Sequence, residues 1–538
     1  MKSKRTYFYN ALLMTAVTLL MRTVAVSFNV YLSGKAGAEA MGLLSLVGSI
    51  YGFALTLATS GIHLATVRAV SEHLEKTGDT DAGRPLAACL AYAAAFGTLA
   101  SVVLFAFARP IGLYLLSDAR TVKGLRVLAF SLLPIALTTV LNGYFTAVRR
   151  AYKNAAAQVT EQAVKIALTV FLLLAVMPDT VEGRLLAILT GGAVAESLTL
   201  LLNLILYAAD RRRHPPKQSA GTHEKSGRAM RVAAVAMPVA VSAYMRSGLL
   251  AIEHILIPKG LSAYNHGSST ALASYGALHG MALPVVLYPA AILAAFAGLL
   301  IPEITRENAA GNSREIRYVT GRVYQMTTLF SMGAAVILLF LSGEFGAVLY
   351  GNEEVSYFIR RLAPLVPIMY LDTATDALLK GMGQQVYSMN VNIFDAFCSV
   401  LGVWLLVPRF GITGYLATIY FTEILNAALS VARLLRISGY RPRLVQLLLL
   451  PLLSAVGAAA LCRLLCAFCF RAFGSAATLT LHVLVLLLLY LALALLTGAL
   501  PCRDLFWLLT CLRPSRRAKT GVPLSRELSG GHAKVKSV

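Results

Sequence analysis

YFYNALLMTAVTLLMRTVAVSFNVYLS, residues Tyr7–Ser33, is an apolar run long enough to cross a bilayer, and it carries Arg22 inside it. A hydrocarbon core of about 30 Å needs roughly 20 helical residues. A lone cation at that depth costs about 2.5–3.5 kcal/mol on insertion scales, and such residues usually face the bundle interior or a water-filled cavity. The pattern returns later in the chain. Met21-Arg22 is followed by Lys35, and Met245-Arg246 is followed at the same interval by Lys259. The expectation is two related halves, each turning one arginine toward a shared central cavity.

Composition agrees with a membrane class. The chain has 538 residues, 57% hydrophobic and 14% charged, against roughly 25% charged in a soluble domain. The apolar runs are continuous and do not alternate, which favours spanning helices over a barrel. The formal charge of +23 could point to nucleic acid. Its Lys and Arg sit in short loops between apolar runs, so membrane topology explains them and no nucleic-acid partner is expected. Cys462, Cys466 and Cys469 fall on one helical face. No His or carboxylate joins them, so they read as small hydrophobes and no metal site is expected. MKSKR before a long apolar run, with no small-residue cleavage site, reads as a retained first helix.

The fold class is an all-α polytopic membrane protein with about 14 transmembrane helices, in two parallel six-helix repeats plus two C-terminal helices. The helices are placed near 8–33, 41–70, 85–108, 125–148, 154–177, 184–208, 231–257, 272–301, 316–342, 359–381, 386–408, 412–436, 445–470 and 477–500. The domain boundaries follow: residues 1–208 form the first half, 209–230 a cytoplasmic linker, 231–440 the second half, 441–501 the two extra helices and 502–538 a basic cytoplasmic tail. Loop charges such as Arg149-Arg150-Lys153, Arg211-Arg212-Arg213 and Arg441 place both termini inside. One outer connection disagrees: Arg109, Arg120, Lys123 and Arg126 fall on the wrong side, and an interfacial segment is expected there.

The repeat rests on four matches in the same order. A shift of 224 aligns Met21-Arg22 with Met245-Arg246, and Asn29 with Glu253. A shift of 233 aligns Gly78-Asp79 with Gly311-Asn312 and Leu133-Pro134-Ile135 with Val366-Pro367-Ile368, and a shift of 227 aligns Glu196 with Glu423. Six helices separate the copies, and an even number keeps both in the same membrane orientation. That is the parallel-repeat arrangement transporters use to rock around a midplane site.

Three stretches carry a family resemblance. SGIHLATVRAVSEHLEKTGD, GYFTAVRRAYKNAAAQVTEQAVKIALTVFLLL and GMALPVVLYPAAILAAFAGLLIPEITRENAAGN resemble, in turn, the second helix end, the fourth-to-fifth hairpin and the eighth helix of the multidrug/oligosaccharidyl-lipid/polysaccharide exporter superfamily. The resemblance is to its polysaccharide transporter branch, with stage V sporulation protein B and the lipid II flippases, over roughly residues 5–500. It implies outward flipping of a polyprenyl-diphosphate-linked glycan precursor, for peptidoglycan or polysaccharide, across the bacterial plasma membrane. Flippases of this kind often carry a second arginine one or two turns after the first, and Asn29 stands in that region here. The resemblance also implies cation binding among the seventh and eleventh helices, which points to Glu253, Asn392 and Asp395.

The candidate residues form two groups. Arg22 and Arg246, with Asn29, are the candidates for substrate binding, because a planar guanidinium holds a phosphate through two parallel hydrogen bonds. The plain alternative for Arg246 is an ion pair with Glu253, seven residues on and on the same helix face. Glu253, Asp372, Asp376, Asn392 and Asp395 are the candidates for coupling to Na⁺ or H⁺, since carboxylates and amide oxygens suit a hard cation and a lone buried carboxylate suits a proton. Ordinary interhelical hydrogen bonding is the plain alternative for them. Glu161 and Lys165, four apart, read as an internal ion pair. His279 on the eighth helix reads as a satisfied buried imidazole. No catalytic residue and no cofactor is expected: GxxxxGK[ST], HExxH and a GxSxG elbow are all missing. The competing readings are a multidrug or cation antiporter of the same superfamily and a membrane-embedded glycosyltransferase or polymerase. The second needs a large polar loop, and the loops are short. Partners are therefore the lipid-linked glycan diphosphate and membrane lipids, and oligomeric state is not set by the sequence.

Overall fold

The structure is a computed structural model that describes residues 2–77, 83–176, 178, 180–213, 228–265, 267–469 and 475–500. The linker's 214–227 stretch, Gly78-Asp79, the tail beyond 500 and the side chains of Cys466 and Cys469 lie outside the described residues. Among the described residues all regular structure is helical. Twelve helical stretches are long and apolar enough to cross a membrane.

Two of them are too long for one crossing. α1 (Lys2–Thr59) has 58 residues and α15 (Gln385–Ser438) has 54. At 1.5 Å per residue each would reach about 80 Å, more than twice a hydrocarbon core. Each is broken at one glycine with positive φ, Gly37 (φ 82°) in α1 and Gly411 (φ 58°) in α15. In α15 the chain doubles back: a Cβ on Gly402 would meet the Thr418 side chain, and one on Gly414 the Leu406 carbonyl. Residues 16 apart on a straight helix would lie about 24 Å from each other. Counting both arms of each, the described residues provide 14 candidate crossings. This matches the sequence expectation, with glycine hinges in place of two of the expected loops.

The remaining elements follow in order. α2 (Ile62–Thr77) extends the second arm of α1. α3 (Gly83–Pro110), α4 (Thr121–Ala147), α5 (Ala151–Phe171) and α6 (Val181–Arg213) complete the region before the linker. After it come α7 (Arg228–Asn265) and an interrupted helix. This is α8 (Ser268–Tyr275), a π-helical turn at Gly276–Ala282, α9 (Leu283–Leu287) and α10 (Ala290–Ala309). Pro284 and Pro289 account for its breaks, since proline removes a helix donor. α11 (Ser313–Phe340) begins on Asn312, whose side chain accepts from the Glu315 amide as an N-cap. The short α12 (Ser342–Phe345), then α13 (Glu353–Leu362) and α14 (Val366–Gly381) lead to α15. α16 (Leu450–Cys469) and α17 (Ser475–Leu496) close the order. They pack with α11 around Leu329, Ala458, Cys462, Leu486 and Tyr490.

Exposed side chains such as Leu99, Phe105, Leu201, Trp404, Leu484 and Leu488 make the outer surface apolar, as lipid contact requires. The expected interfacial segment after α3 is instead a π-helical turn at Ile111–Leu115 and a tight bend at Ser117. Its misplaced positive charges are answered locally. Arg120 binds Asp118 at 2.6 Å and Glu39 at 2.8 Å, Lys123 binds Glu182 at 2.9 Å, and Arg126 lies over the Phe105 ring. At the other end of these helices, Asp210 on α6 binds Arg150 and Lys153 and accepts from the Tyr144 hydroxyl, joining α4, α5 and α6.

The second arm of α1 meets the α8 segment backbone to backbone. A Cβ on Gly276 would overlap the Ala38 carbonyl and Gly42, one on Gly42 would overlap the Leu272 carbonyl, and one on Gly280 would press on Met41. Small residues four apart allow this approach in membranes. Gly42→Ala and Gly276→Ala should each cost about 1–3 kcal/mol by overpacking, read as a lower melting temperature in detergent. Gly34→Ala, where nothing lies within 4 Å, should leave it unchanged.

Candidate functional site

Three carboxyl groups lie within electrostatic reach of Arg246. Arg246 lies on α7 with its side chain exposed, and it is close enough to act electrostatically on Asp372 of α14 and on Asp395 and Glu423 of the two α15 arms. Glu253, two turns further along α7 and 7% exposed, interacts with Asp395 and Glu423. Ser399 neighbours the Glu253 carboxyl, and Ser430 neighbours that of Asp372. The alternative of an Arg246–Glu253 ion pair is not the arrangement found: Arg246 acts on acids of other helices, while Glu253 neighbours Ser399 of the facing α15 arm.

The other candidates fall into place around this group. The Oδ1 atoms of Asp372 and Asp395 are buried without a hydrogen-bond partner. Such an atom is costly unless something else answers it. Asp376 binds Lys380 at 2.5 Å and accepts from Ser388. Asn392 donates to the Ser388 carbonyl at 2.8 Å. Asp376 and Asn392 thus form a separate polar knot through Ser388, one turn away from the Asp372–Asp395–Arg246 group. The sequence grouped Asn392 with Glu253 and Asp395, whereas the structure ties its amide to Ser388.

On the first helix Arg22 is exposed, and its neighbour Thr23 bonds the Tyr288 hydroxyl at 2.9 Å, linking α1 to the segment between α9 and α10. Asn29, two turns on along the same face, has a buried Oδ1 with no hydrogen-bond partner. The expected Glu161–Lys165 interaction is present within a larger cluster. The Glu161 and Glu196 carboxyls hydrogen-bond to each other, and Lys165 acts electrostatically on both. Tyr51, bonded to Ser131 at 2.7 Å, lies within reach of the same two acids. Two carboxyls can share a hydrogen bond only if one is protonated.

Sequence reasoning matched Glu196 with Glu423 but left their role open; each enters a cluster of acids with one cation. It missed Ser399, Ser430 and Tyr51, because a lone serine or tyrosine in an apolar span carries no signal until its partner helix is known. It also passed over His254, whose ring lies 4.7 Å from that of His279. Among the described residues no group of three or more His, Cys, Asp or Glu is arranged to hold a metal ion.

Arg246→Ala should leave Asp372, Asp395 and Glu423 without their cation. A stability loss of about 1 kcal/mol is expected for a partly solvated group of this kind, measured by thermal unfolding in detergent. Adding Asp372→Asn should recover part of it. Equal melting temperatures for wild type and Arg246→Ala would contradict the assignment of Arg246 as counter-charge to these acids.

The family model for polysaccharide biosynthesis protein matches residues 8–302, more than half of the chain. Stage V sporulation protein B of Bacillus subtilis (strain 168) is 22% identical over 437 residues, covering 80% of this chain and 84% of the relative. Among solved structures, the lipid II flippase MurJ in an inward closed conformation superposes with a TM-score of 0.66 at 12% identity, over 94% of this chain and 99% of that one. An inward-facing multidrug resistance MATE family transporter of the MOP superfamily gives 0.60 at 13% identity, over 80% and 98%. These likenesses show a common fold. The chain belongs to the polysaccharide biosynthesis protein family and is a multi-pass membrane protein with the fold of MOP-superfamily transporters.

Proposed function

We propose that this protein flips a polyprenyl-diphosphate-linked glycan precursor outward across the bacterial plasma membrane, by alternating access of the helices before and after the linker. The observation that carries the reading is Arg246, an arginine at membrane depth whose side chain is open while acids from three helical segments stand near it. A diphosphate entering a low-dielectric region needs cations, and guanidinium groups supply them with directional hydrogen bonds. Arg22 and Arg246 hold the diphosphate. Asn29, with its unpartnered Oδ1, accepts hydrogen bonds from sugar hydroxyls beside it. The family membership and the likeness to stage V sporulation protein B support the substrate class.

Glu253, Asp372 and Asp395 hold the coupling cation, with Asp376 and Asn392 as the adjoining polar knot. When the diphosphate competes for Arg246, these acids lose their counter-charge and gain affinity for a cation. Substrate and cation binding are then linked through one guanidinium. Coupling draws on an ion gradient or on the membrane potential, worth about 2.3 kcal/mol per charge per 100 mV.

A multidrug or cation antiporter is the second reading, favoured by the excess of acids over arginine in the same cluster. One assay separates the two. Reconstituted protein should carry a fluorescent lipid-linked disaccharide diphosphate to the far leaflet, and Arg22→Ala should slow this tenfold to a hundredfold, the loss of about 1.5–3 kcal/mol of charge-assisted hydrogen bonding. Arg246→Lys, which keeps the charge facing the acids but loses the planar fork, should slow it as well. Unchanged flipping in both variants, with export of a cationic dye, would favour the antiporter.

A further inference from the structure

Away from Arg246 and its acids, a pocket opens where α11, the end of α17 and the approach to α16 meet. It is lined by Gln325, Tyr440, Arg441, Arg443, Gln446 and Leu447, and holds about 510 Å³ of empty space, part of it open to solvent. The chain builds it in a few steps. Gly439 takes a left-handed φ of 63° and ends α15, and residues 439–443 are not helical. Tyr440 then lays its ring on α11: a Cβ on Gly321 would come within 2.8 Å of that ring, and the Tyr324 ring meets it edge to face at 6.1 Å. Pro442 keeps Arg441 out of the helical region. The Leu447 amide donates to the Arg443 carbonyl at 2.9 Å, in the π-helical turn Val445–Leu449 that leads into α16. Gln325 of α11 donates to the Ala499 carbonyl at 3.4 Å, which brings in the end of the chain after α17.

The pocket is cationic. The Arg317 guanidinium lies against Gly439, with Nη2 3.4 Å from where a Cβ would stand, and Arg443 acts electrostatically on the Tyr440 hydroxyl. Residues 437–450, ISGYRPRLVQLLLL, carry no acid, nor do residues 490–500, and α11 brings one, Glu315, in its first turn. Loop arginines gather on one side of membrane proteins, so their number here follows topology. Their convergence with two carboxamides and a phenol around one space does not. The depth is that of a headgroup: the apolar span of α16 starts at Val445 and that of α17 ends at Leu496, so Arg441 and Arg443 stand just outside the hydrocarbon. Leu444, Val445, Leu448 and Leu449 beside them are all exposed, an apolar surface that continues from the pocket along the helix.

We propose that this pocket binds the phosphate headgroup of an anionic glycerophospholipid, whose acyl chains lie along the exposed leucines of α16. The proposal goes beyond the flippase reading and does not depend on it. Guanidinium groups pair with phosphate oxygens through parallel hydrogen bonds. The Gln325 and Gln446 carboxamides and the Tyr440 hydroxyl offer further hydrogen bonds to ester oxygens and glycerol hydroxyls. Basic pockets between membrane helices take lipid headgroups in this way. A soluble phosphate would use the same guanidinium groups but none of the apolar surface beside them, and that surface favours the lipid. Because the pocket is shared by α11, the approach to α16 and the end of α17, a bound lipid ties the two extra helices to the rest of the bundle.

The test is native mass spectrometry of the full-length protein in detergent, with thermal unfolding of the same samples. The probes are dioleoylphosphatidylglycerol, dioleoylphosphatidylcholine and inorganic phosphate. The first phosphatidylglycerol should bind about tenfold or more tightly than phosphatidylcholine, as charge-assisted hydrogen bonds require, and should raise the melting temperature. Arg441→Gln/Arg443→Gln should cut that preference about tenfold. Arg211→Gln/Arg212→Gln, which removes the same charge from exposed positions at the end of α6, should leave it unchanged. Gln446→Leu keeps every charge and should lower the preference about threefold, the loss of one hydrogen bond; it carries the test if the Arg441/Arg443 variant fails to fold. Equal binding of the two lipids, an equal loss in both arginine pairs, or an unchanged preference in the Arg441/Arg443 and Gln446 variants would overturn the proposal. Inorganic phosphate raising the melting temperature as far as phosphatidylglycerol would overturn the lipid assignment in favour of a soluble phosphate.

Discussion

A charge placed at the depth of the hydrocarbon core has to be answered by another charge or by water, and most of the polar interior of this protein can be derived from that constraint. On the side following the linker, Arg246 answers Asp372, Asp395 and Glu423. On the side preceding it, Lys165 answers Glu161 and Glu196, which share a hydrogen bond. In both places the acids outnumber the cation. Serine hydroxyls such as Ser399 and Ser430 lie beside the excess acids. The same excess makes each cluster responsive to whatever cation or proton arrives.

Small residues decide where these clusters sit. α1 reaches the α8 segment through Gly42, Gly276 and Gly280, and α7 lies against the α15 hinge where Gly260 meets Val407 and the Tyr264 ring covers Gly411. Backbones this close leave no room for side chains at the contact. Larger polar groups are therefore displaced to either side of it, where Glu253, His254, His279 and Tyr415 gather. The hinge glycines also set the folding of the long helices. Gly37 and Gly411 take backbone angles that side-chain-bearing residues rarely adopt, so two of the membrane re-entries occur in a single residue where the sequence suggests a short loop.

The fold was largely legible in the sequence because spanning helices write their own lengths. Runs near 20 residues, continuous hydrophobicity and loop charges locate fourteen crossings without reference to packing. The outer charges Arg120 and Lys123 go against the pattern, and two of their partners, Glu39 and Glu182, are distant in sequence, so the pairing is not visible from the loop alone. The site was legible only in part. Arg22, Arg246 and the acids of α7, α14 and α15 stand out as charges in apolar runs. Which acid meets which cation does not, since helix periodicity relates residues on one helix and says nothing of the facing one. Arg246 and Glu253 share a helix face, yet the acids nearest Arg246 lie on other helices, whereas Glu161 and Lys165 do interact but are joined by Glu196 from α6. His254 escaped notice for a related reason: a single imidazole next to a glutamate is unremarkable until a second imidazole is found beside it.

The matched positions Glu196 and Glu423 sharpen the comparison of the two sides. Each acid lies in a polar cluster, but the cation beside it comes from a different place, Lys165 on α5 in one case and Arg246 on α7 in the other. Lysine gives up its proton readily when desolvated, whereas arginine keeps its charge in any protein environment. A cluster built on lysine can therefore lose its cation by losing a proton. A cluster built on arginine keeps its positive charge whatever the protonation of its acids. The fixed charge thus stands on the helix that also carries Glu253. That single helix, α7, places the group suited to phosphate and the carboxylate suited to a cation seven residues from one another, and any movement of α7 shifts both together.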